Sequence, residues 1–233
     1  MRKALIVIFC VLIADQALKI WVKTHMLRNE AINIFGSWFQ IHFIENNGMA
    51  FGMEFSGIYG KIFLSLFRIF VVVGLGYVLY LEIKKKAHPG LIISGALIFA
   101  GAIGNIIDSA FYGLIFTQSN EWELAKMFPA HGYADFLHGS VVDMLYFPLI
   151  HGRFPHWFPI WGGEDFEFFR PVFNIADSSI TIGVSMILIF QKRFFHKENS
   201  MNSEHLIVNG EKQEDIPQEI KPENKQELVS DLP

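Results

Sequence analysis

Apolar residues in this chain run in long blocks separated by short polar breaks. The first block runs from about Ala4 to Trp21 and opens with an uninterrupted apolar run, Ala4 to Ala14. The second runs from about 62 to 81 and the third from about 91 to 112. The fourth runs from Asn174 to Phe190 and is extended by Phe194 and Phe195, giving 174 to 195. A membrane-spanning helix needs roughly 17–25 mostly apolar residues, so four spans are predicted. Between the first two blocks, Trp38-Phe39-Gln40-Ile41-His42-Phe43-Ile44 repeats with period two. That pattern predicts one or two strands lying on the membrane surface, followed by a turn at Asn46-Asn47-Gly48. From about Lys197 the chain turns polar and mixed in charge, with Pro217 and Pro222. The expected organisation is therefore an all-α membrane domain over 1–196 and a flexible cytoplasmic tail over 197–233.

Composition agrees with the pattern. The chain has 233 residues, 52% hydrophobic and 18% charged, against about 25% charged in an ordinary soluble domain. The net charge of −4 gives no basic surface for a nucleic-acid partner. Cys10 is the single cysteine, which excludes an internal disulfide and any multi-cysteine metal site. The basic residues set the orientation. Arg2 and Lys3 precede the first span, Lys84, Lys85 and Lys86 separate the second and third, and Lys192, Arg193 and Lys197 follow the fourth. With four spans these places share one side, and the positive-inside rule makes that side cytoplasmic. Both termini are then inside, and the segments from about 23 to 61 and 113 to 171 are outside. Trp122, Trp157 and Trp161 in the second outer segment suit the headgroup zone. No small-x-small cleavage site follows the first block, so an uncleaved first helix is expected.

Polar side chains inside spans are expensive and default to a functional reading. Asp15 and Lys19 lie four apart in the first span. Asn105 and Asp108 lie three apart in the third, and Asn174 and Asp177 three apart in the fourth. On the predicted topology all three clusters sit at one depth, near the outer edge. Ala96, Ala100, Gly104 and Asp108 form a stripe at spacing four, which lets helices approach closely. A fourth carboxylate, Asp143, interrupts the apolar segment His138 to Phe147, which is expected to lie against the membrane at the level of Asp177. Simple structural readings exist for each cluster: an Asp15–Lys19 ion pair holding the bundle, an Asn105–Asp108 hydrogen-bond clamp, and an Asn174 helix cap. Taken together, Asp143 and Asp177 look like a carboxylate dyad. The same carboxylates would also suit a membrane transporter or proton relay, although relay residues should step across the membrane. His131, His138, His151 and His156 crowd the outer segment, but no His-Glu-x-x-His spacing occurs and no metal is expected.

At five places the sequence resembles the bacterial lipoprotein signal peptidases, the type II signal peptidases. These are Asp15-Gln16 with Lys19; Asn46-Asn47-Gly48-Met49-Ala50-Phe51-Gly52; Gly104-Asn105-Ile106-Ile107-Asp108; Gly139-Ser140-Val141-Val142-Asp143; and Phe173-Asn174-Ile175-Ala176-Asp177-Ser178. The resemblance covers roughly residues 4–195. It implies an aspartyl endopeptidase of the bacterial inner membrane, needing no cofactor, that cuts diacylglyceryl-modified prolipoproteins just before the lipidated cysteine. It implies Asp143 and Asp177 as the catalytic pair. Asn46, Asn105 and Asn174 would orient the substrate or the dyad. Asp15 and Lys19, with Asp108 and Gly104, would support the bundle. It also implies a small outer β-sheet cradle. Two departures stand out. The family's Arg after Gly-Asn-x-x-Asp is Ser109 here, and Arg68 in the outer half of the second span is a candidate to supply that charge. Residues 113–137 and 147–170 look like insertions around the Asp143 motif.

Overall fold

The computed structural model describes residues 1–46 and 58–214. The element expected over Asn47 to Gly52, with its turn, therefore lies outside the described residues. Helix α1 covers Arg2–His25, α2 Ile58–Lys84 and α3 Pro89–Ile107. A widened π-helical turn, Asp108–Tyr112, and a short helix α4, Gly113–Ile115, extend α3. Strands β1 and β2 cover Ala31–Phe35 and Phe39–Asn46. Strands β3, β4 and β5 cover Val141–Tyr146, Ile150–Arg153 and Asp165–Phe168. Helix α5 runs from Ile175 to Glu214 with a non-helical residue at Phe190. Among the described residues four helices are long and apolar enough to cross a membrane: Arg2–His25, Ile62–Lys84, Pro89–Ile115 and Ile175–Phe195. The four expected blocks are thus four helices, with Asn174 standing just before the fourth. The chain divides into two compact units, Met1–Phe194 and Phe195–Pro233.

The helices are inside-out relative to those of a soluble protein. On α1, Asp15, Lys19 and Lys23 are buried, while Leu5, Ile6, Phe9 and Ile13 are exposed. A lipid surround accounts for this, because it solvates apolar side chains and penalises charges. Helix α3 starts cleanly. Pro89 opens it, and the His88 side chain accepts from the Gly90 N–H at 3.0 Å. Its small residues then let neighbours in. Ala96 and Ala100 are fully buried. A Cβ on Gly101 would stand 2.2 Å from the Ala176 carbonyl oxygen, and one on Gly104 would stand 2.8 Å from Asp15 Oδ2. Only glycine permits α1 and α5 to approach α3 this closely at those points.

A three-stranded antiparallel sheet, ordered β1-β2-β3, caps one end of the bundle. Here the sequence expectation needs correction. The segment around Asp143, expected within an outer loop, is a sheet strand. Its alternation is hidden because both faces are covered: Val141 and Asp143 are buried along with Val142 and Met144. Val142 and Met144 join Phe43, Val22, Met26, Tyr112 and Phe116 in the main core cluster. Asp143, on the opposite face, is left for the site. Ile44 pairs with Asp143, Glu45 with Val142 and Asn46 with Val141. β1 precedes the expected strand stretch and went unread because it is a largely exposed edge strand. The second insertion is likewise not all loop. β4 and β5 form an antiparallel hairpin there, with Ile150 opposite Phe168 and Arg153 opposite Asp165.

Candidate active site

Three helices and the sheet bring the polar clusters into one network, buried at Asp15, Lys19, Asp108, Asp143 and Asn174. Lys19 is its hub. Its Nζ lies 2.9 Å from Asp15 Oδ2 and 2.8 Å from Asp108 Oδ2, and it donates to Asn105 Oδ1 at 2.9 Å. Lys19, Asp15 and Asp108 are all fully buried as side chains. An isolated charge could not survive there, whereas one ammonium shared by two carboxylates and an amide can. Asn105 and Asp108 are therefore joined through Lys19, in place of the direct clamp that their spacing suggested. Gln16 completes the ring by donating to Asp108 Oδ1 at 2.9 Å and to the Gly104 carbonyl at 3.2 Å, while its own Oε1 accepts from the Tyr112 hydroxyl at 3.1 Å.

The ring anchors two backbone segments. Asp15 Oδ1 accepts the Ala176 N–H at 2.9 Å, in the first turn of α5. That is where a carboxylate is favoured by the unpaired amides and the helix dipole. Asp108 Oδ2 accepts the Val142 N–H at 3.2 Å, next to Asp143 in β3. The supporting residues thus hold the elements that carry both candidate catalytic aspartates.

Asn174 joins the two aspartates. As the residue before α5 it accepts the Asp177 N–H on Oδ1 at 2.9 Å, and its own N–H reaches Asp177 Oδ2 at 3.4 Å. This is a reciprocal cap. Its Nδ2 donates to Asp143 Oδ1 at 2.7 Å and to Asn105 Oδ1 at 3.1 Å. Asn105 Nδ2 in turn donates to Asp177 Oδ1 at 2.7 Å. Asn46, at the end of β2, hydrogen-bonds the Asp143 carboxylate from the sheet. Burial first, and the nearby Asp177 charge second, push the Asp143 carboxyl from 3.8 up to about 7. Lys19 and the hydrogen bonds from Asn174 and Asn46 pull the other way. Arg68 of α2 lies within electrostatic range of both Asp177 and Asp143. Ser109 is buried and donates to the Asn105 carbonyl at 3.2 Å.

The named residues of all three helix clusters, the strand aspartate and Asn46 therefore meet at one place. Sequence reasoning missed a second buried cation nearby, Lys23, which pairs with Glu45. The signal was present, because Asp15, Lys19 and Lys23 repeat at spacing four on one helix face.

A family model described as signal peptidase (SPase) II matches residues 7–193. A lipoprotein signal peptidase of Porphyromonas gingivalis is 51% identical over 195 residues, covering 82% of each chain. One of Amoebophilus asiaticus is 35% identical over 180 residues, covering 76% of this chain and 72% of its own. A bacterial membrane enzyme solved by the in meso method at 1.9 Å superposes with a TM-score of 0.54 at 27% identity, covering 81% of this chain and 92% of its own. A second, at 2.3 Å, gives the same TM-score at 23% identity and shares the fold over 95% of this chain. With the model spanning most of its length and relatives this close, the chain is a multi-pass membrane peptidase belonging to the signal peptidase II family.

Proposed function

We propose that this protein removes the signal peptide from diacylglyceryl-modified prolipoproteins, cutting before the lipidated cysteine, with Asp143 and Asp177 as an aspartic dyad. One observation carries the reading: Asn174 donates to Asp143 while it caps the helix turn that holds Asp177, and Asn105 holds Asp177 from the other side. Two carboxylates fixed through shared amide groups are poised to share one proton. The raised Asp143 carboxyl favours that singly protonated state near neutral pH.

The chemistry follows from the shared proton. The ionised carboxylate takes a proton from water as the water attacks the scissile carbonyl. The protonated carboxyl polarises that carbonyl, and a proton then passes to the leaving nitrogen. The pair titrates as a unit, so acid and base roles belong to the dyad as a whole. Asn46, Asn105 and Asn174 orient the carboxylates, and Lys19 with Asp15, Asp108 and Gly104 fixes the helices beneath them. Arg68, within electrostatic range of both aspartates, supplies the positive charge that the family places where Ser109 stands here. The basic flanks put both termini in the cytoplasm and the dyad on the periplasmic side of the inner membrane. At that depth the acyl chains of the substrate remain in lipid while its peptide bond meets the carboxylates.

The test uses purified protein in lipid nanodiscs with matched prolipoproteins, one diacylglyceryl-modified and one unmodified. Cleavage of the modified substrate alone, leaving the lipidated cysteine at the new N-terminus, is the expected result. Equal cleavage of both, or none of either, contradicts the reading. Arg68→Gln is expected to raise KM or lower kcat about tenfold, the scale of one charge-assisted contact. Unchanged kinetics in that variant remove Arg68 from the site.

A further inference from the structure

We propose that Lys23 and Glu45 are positioning residues for the dyad, and that the insertion over 113–137 encloses this ion pair so that the ends of β2 and β3 are held in register. The inference rests on the dyad reading above.

Lys23 is fully buried near the end of α1, one turn beyond Lys19. Its ammonium pairs with Glu45, whose side chain is 3% exposed, and donates to Ser119 Oγ at 2.8 Å. Ser119 passes the interaction on, donating to Glu45 Oε1 at 3.0 Å. The rings of Phe116 and Tyr133 lie 5.4 and 5.0 Å from the same nitrogen, within cation–π range. Ser119, Phe116 and Tyr133 all belong to the insertion over 113–137. A buried charge pair costs desolvation and is weak evidence for stability alone. Here three residues of the inserted segment surround one.

Strand geometry says what the pair does. Glu45 is opposite Val142 and Asn46 is opposite Val141. Successive strand residues point to opposite faces. Fixing Glu45 on the face of Val142 therefore delivers Asn46 to the face of Asp143, where it hydrogen-bonds the carboxylate. The insertion grips the second strand as well. The Tyr133 hydroxyl accepts the Ser140 N–H at 2.8 Å, one residue before β3 begins. One inserted segment thus secures both strands that bring groups to the dyad, and it does so from the far side of the sheet.

The test replaces the pair as a unit, Lys23→Met with Glu45→Met, because exchanging a buried ion pair for apolar residues is often neutral for folding. Prolipoprotein cleavage is measured against pH beside wild type, Asn46→Ala and Asp143→Asn. The double variant is expected to insert normally and to lose about tenfold or more in kcat with little change in KM, since small misplacements of reacting groups are costly. Its alkaline limb should move to higher pH, in the same direction as in Asn46→Ala, because a carboxylate that loses a hydrogen bond holds its proton longer. Wild-type kcat and an unmoved limb overturn the proposal, as does a loss confined to the amount of folded protein. If the double variant does not insert, Ser119→Ala, which leaves both charges in place and removes the hydroxyl that bridges them, is expected to shift the limb the same way by less, and an unshifted limb again overturns it. A wild type that does not cleave defeats the dyad reading instead, and the inference with it.

Discussion

Asp143 is a carboxyl that the fold prefers to keep protonated, and that preference has two measurable consequences. Its carboxyl is raised from 3.8 to about 7 by burial and by Asp177. An acid raised on folding binds more protons in the folded state, so stability falls as pH rises from about 4 to 7 and is flat above that. Asp143→Asn removes the burden and can still accept from Asn174 through its amide oxygen. The variant should therefore melt at a higher temperature than wild type at pH 8, with the difference vanishing near pH 4, while cleavage is abolished. Thermal unfolding at the two pH values checks this, and an unchanged Tm at pH 8 contradicts it. The catalytic counterpart is an activity that declines above about pH 7 as the dyad loses its shared proton. Asn174 carries two roles at once. Asn174→Ala should cost about 1 kcal/mol for the lost cap, and much more in kcat than that instability explains, because Asp143 loses its amide donor as well.

At the scale of elements, the spans and their polar clusters were legible because lipid leaves so few reasons for a charge to sit in an apolar block. The small-residue stripe on α3 was legible for the same reason. Gly101→Ala should cost roughly 1–3 kcal/mol by overpacking, since the new Cβ would meet the Ala176 carbonyl at 2.2 Å. Gly74→Ala, where nothing lies within 4 Å, should be neutral or slightly stabilising. Chemical denaturation of the two variants in one detergent provides the comparison, and equal stabilities contradict the close-approach account. The strands were read less well. β3 hides its period because Asp143 and Val141 are buried along with Val142 and Met144. β1 is a mostly exposed edge strand, and the β4–β5 hairpin has strands of only four residues each, too short for the alternation of Asp165–Phe168 to stand out in an aromatic-rich stretch. The Asp15–Lys19 ion pair was legible from its spacing of four, but polar partners far apart in sequence were not. Nothing local to Asn105 or Glu45 says that Lys19 and Lys23, 86 and 22 residues away in sequence, will meet them.

For the whole molecule, the basic residues make a claim about orientation. In a Cys10→Ala background, a cysteine at Lys85 should react with an impermeant thiol reagent only from the cytoplasmic side, and one at Trp157 only from the periplasmic side. The reverse labelling would place the dyad on the wrong face for an exported substrate. The bundle and sheet hold two aspartates through shared amides, and the most direct test of the proposed dyad is whether the two act as one. Prolipoprotein cleavage is measured for correctly inserted Asp143→Asn, Asp177→Asn and the double variant. The account predicts that each single variant loses at least about a thousandfold in rate and that the double is no worse than either, as expected of groups that work as a unit. A single variant that still cuts at the wild-type rate, or losses that multiply independently in the double, would contradict it.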